Sequence, residues 1–214
     1  MPKPTIIFDF DGTIANTLDS IVSIFNDIAP KFRCEKIDMK DRETLRARRP
    51  QDFLKDYGVT NWKLPFLLIK IRKELHSRIA EIEPITGIVD VLLALKKSGY
   101  SLGIMTSNSK ENVQLFLDKN HLSQVFDFIY TGRNIFGKNK VIMKLLRDQN
   151  LSLDATIYVG DETRDVEAVK KIGMQMIAVS WGFNTREILM NANPDIVLDE
   201  PRELIEYLEK MKKF

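Results

Sequence analysis

Two short segments join carboxylates to apolar runs in a pattern that suits shared chemistry. Ile6-Ile7-Phe8-Asp9-Phe10-Asp11-Gly12-Thr13 lies near the start of the chain, and Tyr158-Val159-Gly160-Asp161-Glu162-Thr163-Arg164-Asp165 in its later half. Each passes from a strand-like run straight into acids. Residues two apart at a strand end point the same way, so Asp9 and Asp11 can face one pocket while Gly12 lets the chain turn away without a Cβ clash. Asp161 belongs at a strand tip and Asp165 in the first turn of the next helix, where an acid also favours the helix dipole. An Asp-Gly pair alone signals only a turn, but the apolar strand feeding into it argues against a surface turn here. Gathered carboxylates repel unless protons or a hard cation offset their charge, and oxygen ligands of this kind suit Mg²⁺. A carboxylate two residues from another also supplies a nucleophile and acid–base pair. The pattern predicts a magnesium-dependent enzyme acting on a phosphate.

The elements that must position these acids read as strands alternating with helices. Strand patterns occur at 5–8, 101–106, 127–131, 156–159, 175–179 and 195–198, and helical patterns at 88–98, 110–120, 141–149, 164–172, 185–192 and 201–213. Gly99, Asn150 and Gly173 stand where left-handed helix caps are needed. This spacing predicts an α/β fold, a doubly wound parallel sheet with ligands at the carboxyl ends of its strands. From Thr17 to Pro84 the alternation breaks into helical periodicity alone, at 18–32, 40–49, 50–57 and 62–82. A small all-helical cap (17–84) inserted after the first strand of an α/β core (1–16 and 85–214) is therefore expected, with hinges at Thr17 and at Glu83-Pro84-Ile85. The insertion holds 14 Lys and Arg against 11 Asp and Glu, the remainder 18 against 19. A mildly basic lid over an acidic floor suits an anionic substrate, although solvated helix faces give the same count.

Composition narrows the classes. The 214 residues, 44% hydrophobic, allow one substantial domain or one carrying a smaller insertion. A net charge of +2 makes no case for nucleic acid. The single Cys34 cannot form an internal disulfide, and no run of 18 apolar residues occurs, so a soluble, reducing, cytoplasmic setting without membrane contact is expected. With only His76 and His121, a site built from several histidines is excluded. Cys34 lacks the following Arg of a cysteine-phosphatase loop and reads as a small apolar residue.

The first segment resembles the opening motif, Asp-x-Asp-Gly-Thr after a strand, of the haloacid dehalogenase-like (HAD) hydrolase superfamily, and further motifs follow in order over essentially the whole chain. The second is Leu102-Gly103-Ile104-Met105-Thr106-Ser107-Asn108, where a hydroxyl and successive N–H groups at a strand-to-helix junction suit phosphate oxygens. Gly160, Asp161 and Asp165 meet the fourth. The third is a lysine ahead of a helix: Lys138 after Gly137 is the choice and Lys140 the alternative, the customary proline being absent. The resemblance implies a Rossmann-like core on which Asp9 attacks phosphorus to form an aspartyl-phosphate, while Asp11 protonates the leaving oxygen and then activates water. It further implies Mg²⁺ held by Asp9, the Asp11 backbone carbonyl and Asp161 with Asp165 in support, and phosphoryl oxygens bound by Thr106 and Lys138 beside Ser107 and Asn108. An acid at position 11 favours phosphate monoesters over the family's dehalogenase and phosphonate chemistries. The likeness is to phosphoglycolate phosphatase-type members, which act on a small phosphorylated metabolite, phosphoglycolate or sugar phosphate; a sugar-phosphate mutase shares the same core.

Arg42, Arg46, Arg48 and Arg49 of the cap are placed to reach a second anion on the leaving group, with Arg46 and Arg49 taken as substrate-binding. A competing motif overlaps Lys138. Gly132 to Asn139 fits a P-loop nucleotide site except that Asn139 replaces the Mg²⁺-binding Ser or Thr, and a P-loop leaves Asp9 and Asp11 unexplained.

Overall fold

The computed structural model describes residues 3–132 and 137–211. Six parallel strands, β1 (Thr5–Phe8), β2 (Ser101–Thr106), β3 (Phe128–Thr131), β4 (Thr156–Gly160), β5 (Gln175–Val179) and β6 (Ile196–Leu198), form one sheet in the order β3-β2-β1-β4-β5-β6. β1 is buried at every position, and apolar from Ile6 to Phe8, because both of its faces are covered. Ile6 and Phe8 pack with Leu102, Ile104, Ile157 and Val159 beneath helices α5 (Ile88–Lys97), α6 (Lys110–Lys119) and α10 (Arg202–Met211). Ile7 packs with Met105 and Tyr158 beneath α7 (Lys138–Asp148), α8 (Thr163–Lys171) and α9 (Arg186–Asn191) on the other face.

Strand order decides where the acids meet. β1 pairs with β2 on one side and β4 on the other, with Phe8 opposite both Ile104 and Val159. The Asp9 N–H donates to the Val159 carbonyl at 2.8 Å, which carries the first segment out between the tips of its two neighbours.

Gly99, Asn150 and Gly173 all adopt positive φ, as expected of left-handed caps. α7 begins at Lys138, three residues ahead of its first apolar position, because polar residues lengthen a helix without marking the apolar period. In the helical segment, α1 (Leu18–Ile28) ends before Pro30 and continues as a tight turn to Phe32. α2 spans only Arg42–Arg46, and Arg49 is extended ahead of Pro50, which opens α3 (Pro50–Asp56); α4 (Leu64–Arg78) closes the segment. These helices enclose their own apolar cluster, built around Val22, Phe25, Leu45, Phe53 and Leu67. The two connections run side by side: Asn16 N–H donates to Glu83 O at 3.0 Å and Ile85 N–H to Ile14 O at 2.8 Å. Among the described residues, no helix is long and apolar enough to cross a membrane.

Candidate active site

Phe10 points into the core and meets Phe116 edge-on at 5.1 Å, so the alternation of the strand end turns Asp9 and Asp11 together towards the cavity. The buried Asp9 carboxylate accepts the Phe10 N–H at 2.8 Å and the Lys138 ammonium at 2.7 Å. Lys138 also donates to Asp165 at 2.5 Å. Asp165 is fixed at the start of α8 by a reciprocal box with Glu162, whose N–H it accepts at 3.2 Å. Asp161, fully buried, accepts the Thr13 hydroxyl and the Phe183 N–H, both at 2.7 Å. Two positions near it tolerate no Cβ. At Gly12, with φ of +79°, a Cβ stands 2.1 Å from the Asp161 carboxylate and 2.4 Å from the Phe183 ring; at Gly182 it stands 2.5 Å from the Gly12 carbonyl.

Asp9, Asp161 and Asp165 each offer a carboxylate oxygen, all within 4.8 Å of one another. Three buried hard donors this close fit a hard divalent cation such as Mg²⁺ better than any soft metal. Their electrostatics agree. Burial, then the charges of Glu162, Asp9 and Asp165, pushes Asp161 well above the usual carboxylate range. Burial also raises Asp165, to about 6, against the pull of Lys138. Burial opposes the charge of Lys138 in turn, but Asp165 and Asp9 outweigh it and hold the ammonium protonated.

Asp11 is pushed up to about 7, by burial first and the charge of Asp9 second, while Thr17 and Asn108 pull the other way. The Thr17 hydroxyl, fully buried, makes no hydrogen bond of normal geometry. Asn108 donates its amide to both Asp11 oxygens, at 3.2 and 3.3 Å. That amide is oriented in turn: its oxygen accepts the Ser109 N–H and the Asn112 amide at 2.9 Å each, and Asn112 Oδ1 lies 2.5 Å from Nδ1 of His76 on α4. Thr106 is buried at the tip of β2, its hydroxyl accepting the Asn108 N–H at 2.9 Å, and Ser107 lines the cavity beside it.

Eight of the ten residues singled out from sequence thus line the cavity or join the carboxylate cluster: Asp9, Asp11, Thr106, Ser107, Asn108, Lys138, Asp161 and Asp165. Lys138 is the lysine that reaches the acids, whereas Lys140 is exposed on α7. Arg46 and Arg49 are engaged elsewhere. Arg46 donates to the carbonyls of Ser180 at 2.6 Å and Gly182 at 2.9 Å, tying α2 to the loop after β5, and Arg49 pairs with Glu167 at 2.5 Å. Neither lines the cavity. Four of the eight positions of the P-loop pattern, Arg133–Phe136, lie outside the described residues.

Sequence reasoning gave Thr13 no role of its own and missed the loop Trp181-Gly182-Phe183-Asn184. The loop carries the Phe183 N–H that binds Asp161, and Asn184 accepts the Thr163 N–H at 2.9 Å and donates to the carbonyls of Arg46 and Arg48. A Gly and an Asn directly after a strand were the available signal.

The cavity holds about 470 Å³. Asp9, Asp11, Thr106-Ser107-Asn108 and Lys138 form its floor, and α1, α3 and α4 contribute mostly aliphatic side chains.

A family model for haloacid dehalogenase-like hydrolases matches residues 6–179. The phosphoglycolate phosphatase of Synechococcus elongatus is 34% identical over 208 residues, covering 97% of this chain and 98% of the relative. The pyrophosphatase PpaX of Bacillus mycoides is 26% identical, with 97% of each chain covered. Among solved structures, that of a predicted phosphatase from Clostridium acetobutylicum matches with a TM-score of 0.83 at 22% identity over 100% of both chains, a likeness of fold.

Proposed function

Because the chain belongs to the haloacid dehalogenase-like hydrolase family, we propose that it is a Mg²⁺-dependent phosphatase that hydrolyses a phosphate monoester through an aspartyl-phosphate on Asp9. The observation that carries this reading is the convergence of Asp9 and Asp11 on one cavity that Lys138 also lines, with carboxylate oxygens of the buried Asp161 and Asp165 within 4.8 Å of Asp9. The helical segment serves as the cap over that floor. In the first step an Asp9 oxygen forms a bond to phosphorus as the ester P–O bond breaks, and the Asp11 proton passes to the leaving oxygen. In the second, the Asp11 carboxylate takes a proton from water as its oxygen attacks phosphorus and Asp9 departs. An acid raised to about 7 is present in both forms near neutrality, as a group that first gives and then takes a proton requires.

Asn108 holds the Asp11 carboxylate in register, and Lys138 and the Thr106-Ser107-Asn108 turn bind phosphoryl oxygens. Asp9, Asp161 and Asp165 would hold Mg²⁺. When bound, the ion neutralises phosphoryl charge and orients the phosphoryl oxygens. The name of the 34%-identical relative, a phosphoglycolate phosphatase, supports a small phosphate monoester as the class of substrate.

Turnover of p-nitrophenyl phosphate with Mg²⁺ by the purified protein, and its loss in Asp9→Asn, is the expected result. Activity that survives Asp9→Asn would reject Asp9 as the nucleophile.

A further inference from the structure

The phosphoryl site occupies one end of the cavity, and the rest of it extends into the cap. There α1 turns Leu18, Ile21, Val22 and Phe25 towards it, and α4 turns Leu68, Ile71, Arg72 and Leu75. Both sets follow i, i+3, i+4, i+7, so a single face of each helix forms the wall. Seven of these eight side chains are apolar, and Leu45 and Phe53 line the cavity with them. A cap that grips a carboxylate or a second phosphate needs cations or N–H donors aimed inward, because a buried anion without partners is strongly disfavoured.

The arginines of the α2 region do not supply that charge. Arg42 pairs with Asp19 at 2.8 Å, Arg48 with Asp56 at 2.5 Å and Arg49 with Glu167, while Arg46 is bound to backbone carbonyls. Arg164, on the core side of the cavity, pairs with Glu162. Arg72 lines the cavity from the cap but already has partners of its own, and Lys171 lines it from the core.

Resting on the phosphatase reading, we infer that the leaving group of the preferred substrate is apolar: the site takes a monoalkyl or aryl phosphate whose hydrocarbon portion lies between α1 and α4. The volume of about 470 Å³ exceeds what a phosphoryl group needs and falls in the range of small-molecule sites. Hydrocarbon entering it removes apolar surface from water on both partners and leaves no polar group unsatisfied, whereas the hydroxyls of a sugar phosphate meet mainly aliphatic side chains.

The experiment is a series of n-alkyl phosphates, ethyl, butyl and hexyl, assayed with Mg²⁺ beside 2-phosphoglycolate and glycerol phosphate. The alkyl leaving groups have nearly the same basicity, so differences report binding in the cap rather than chemistry. The expected result is a rise in kcat/KM of about fourfold per added methylene, with hexyl phosphate well above phosphoglycolate. Leu68→Arg, a change at a half-buried position on the α4 face, is expected to flatten the alkyl series and favour phosphoglycolate.

A flat wild-type series, or phosphoglycolate as the best substrate with its turnover lost in Arg72→Gln, would overturn the apolar leaving group and leave the phosphatase reading standing. No turnover of any ester would remove that reading, and this inference with it.

Discussion

Asp161→Asn is expected to stabilise the metal-free protein while removing its response to Mg²⁺. The carboxylate is fully buried, its partners are a hydroxyl and an N–H, and two further acids lie within 4.8 Å. Lys138 bonds Asp9 and Asp165, so those three groups together act on Asp161 as about one negative charge. At 4.8 Å and an effective dielectric of about 20, two unit charges repel by about 3.5 kcal/mol. The sign follows from linkage. A carboxyl raised in the folded state is neutral in both states below its unfolded pKa and costs stability as pH rises from there through the folded value, so the wild type carries the penalty at neutral pH and Asn does not. Asn preserves both contacts, because its oxygen can accept the Phe183 N–H while the Thr13 hydroxyl turns to accept from the amide.

A gain of about 2–3 kcal/mol translates, for a chain of this size, into a Tm higher by roughly 5–10 °C. Thermal unfolding in EDTA at pH 7.5 measures it, and a Mg²⁺ titration of Tm on both proteins measures the second half of the expectation. The wild type should be stabilised in proportion to the logarithm of free Mg²⁺ above its Kd, and the variant should not respond. A variant that melts below the wild type in EDTA yet keeps the full Mg²⁺ shift refutes the view of Asp161 as a charge waiting for a cation and makes it a structural hydrogen-bond acceptor.

Three further outcomes follow from the same geometry. Because the first step needs Asp11 protonated, kcat/KM should fall as pH rises past about 7, and Asn108→Ala, which removes donors to the charged form, should move that limb up by about one unit; a limb that stays in place in the variant argues against Asp11 as its source. Lys138→Met leaves Asp9 and Asp165 without their cation, and should lower both kcat, by about 10²-fold or more, and stability, by about 3 kcal/mol, read by turnover and urea denaturation. Gly12→Ala demands a left-handed alanine whose Cβ lies 2.1 Å from Asp161 and 2.4 Å from Phe183; a loss of at least about 3 kcal/mol is expected, and a Tm within a degree of wild type would contradict the local structure.

The sequence by itself determined the architecture and the floor of the site. β1, β2 and β5 match their apolar runs residue for residue, because a strand covered on both faces admits few polar side chains. The left-handed ends at Gly99, Asn150 and Gly173 are equally local, being set by the steric freedom of one residue. Asp9, Asp11 and Asp161 were legible because an acid that ends an apolar strand has no structural reason to be there, and Asp165 was read from its place four residues after Asp161.

Tertiary structure decided everything that depends on direction. Lys138 and Lys140 are alike as letters, but they lie two residues apart on a helix and so point about 200° apart, and only one can meet Asp9. Arg46 and Arg49 looked free to meet an anion until the loop after β5 and the helix α8 were brought against them. The aliphatic wall that the helical segment gives the cavity was hidden for the same reason. A stripe at helical spacing reads as core, and only the packing of α1 against α4 leaves part of that stripe facing a cavity above the acids.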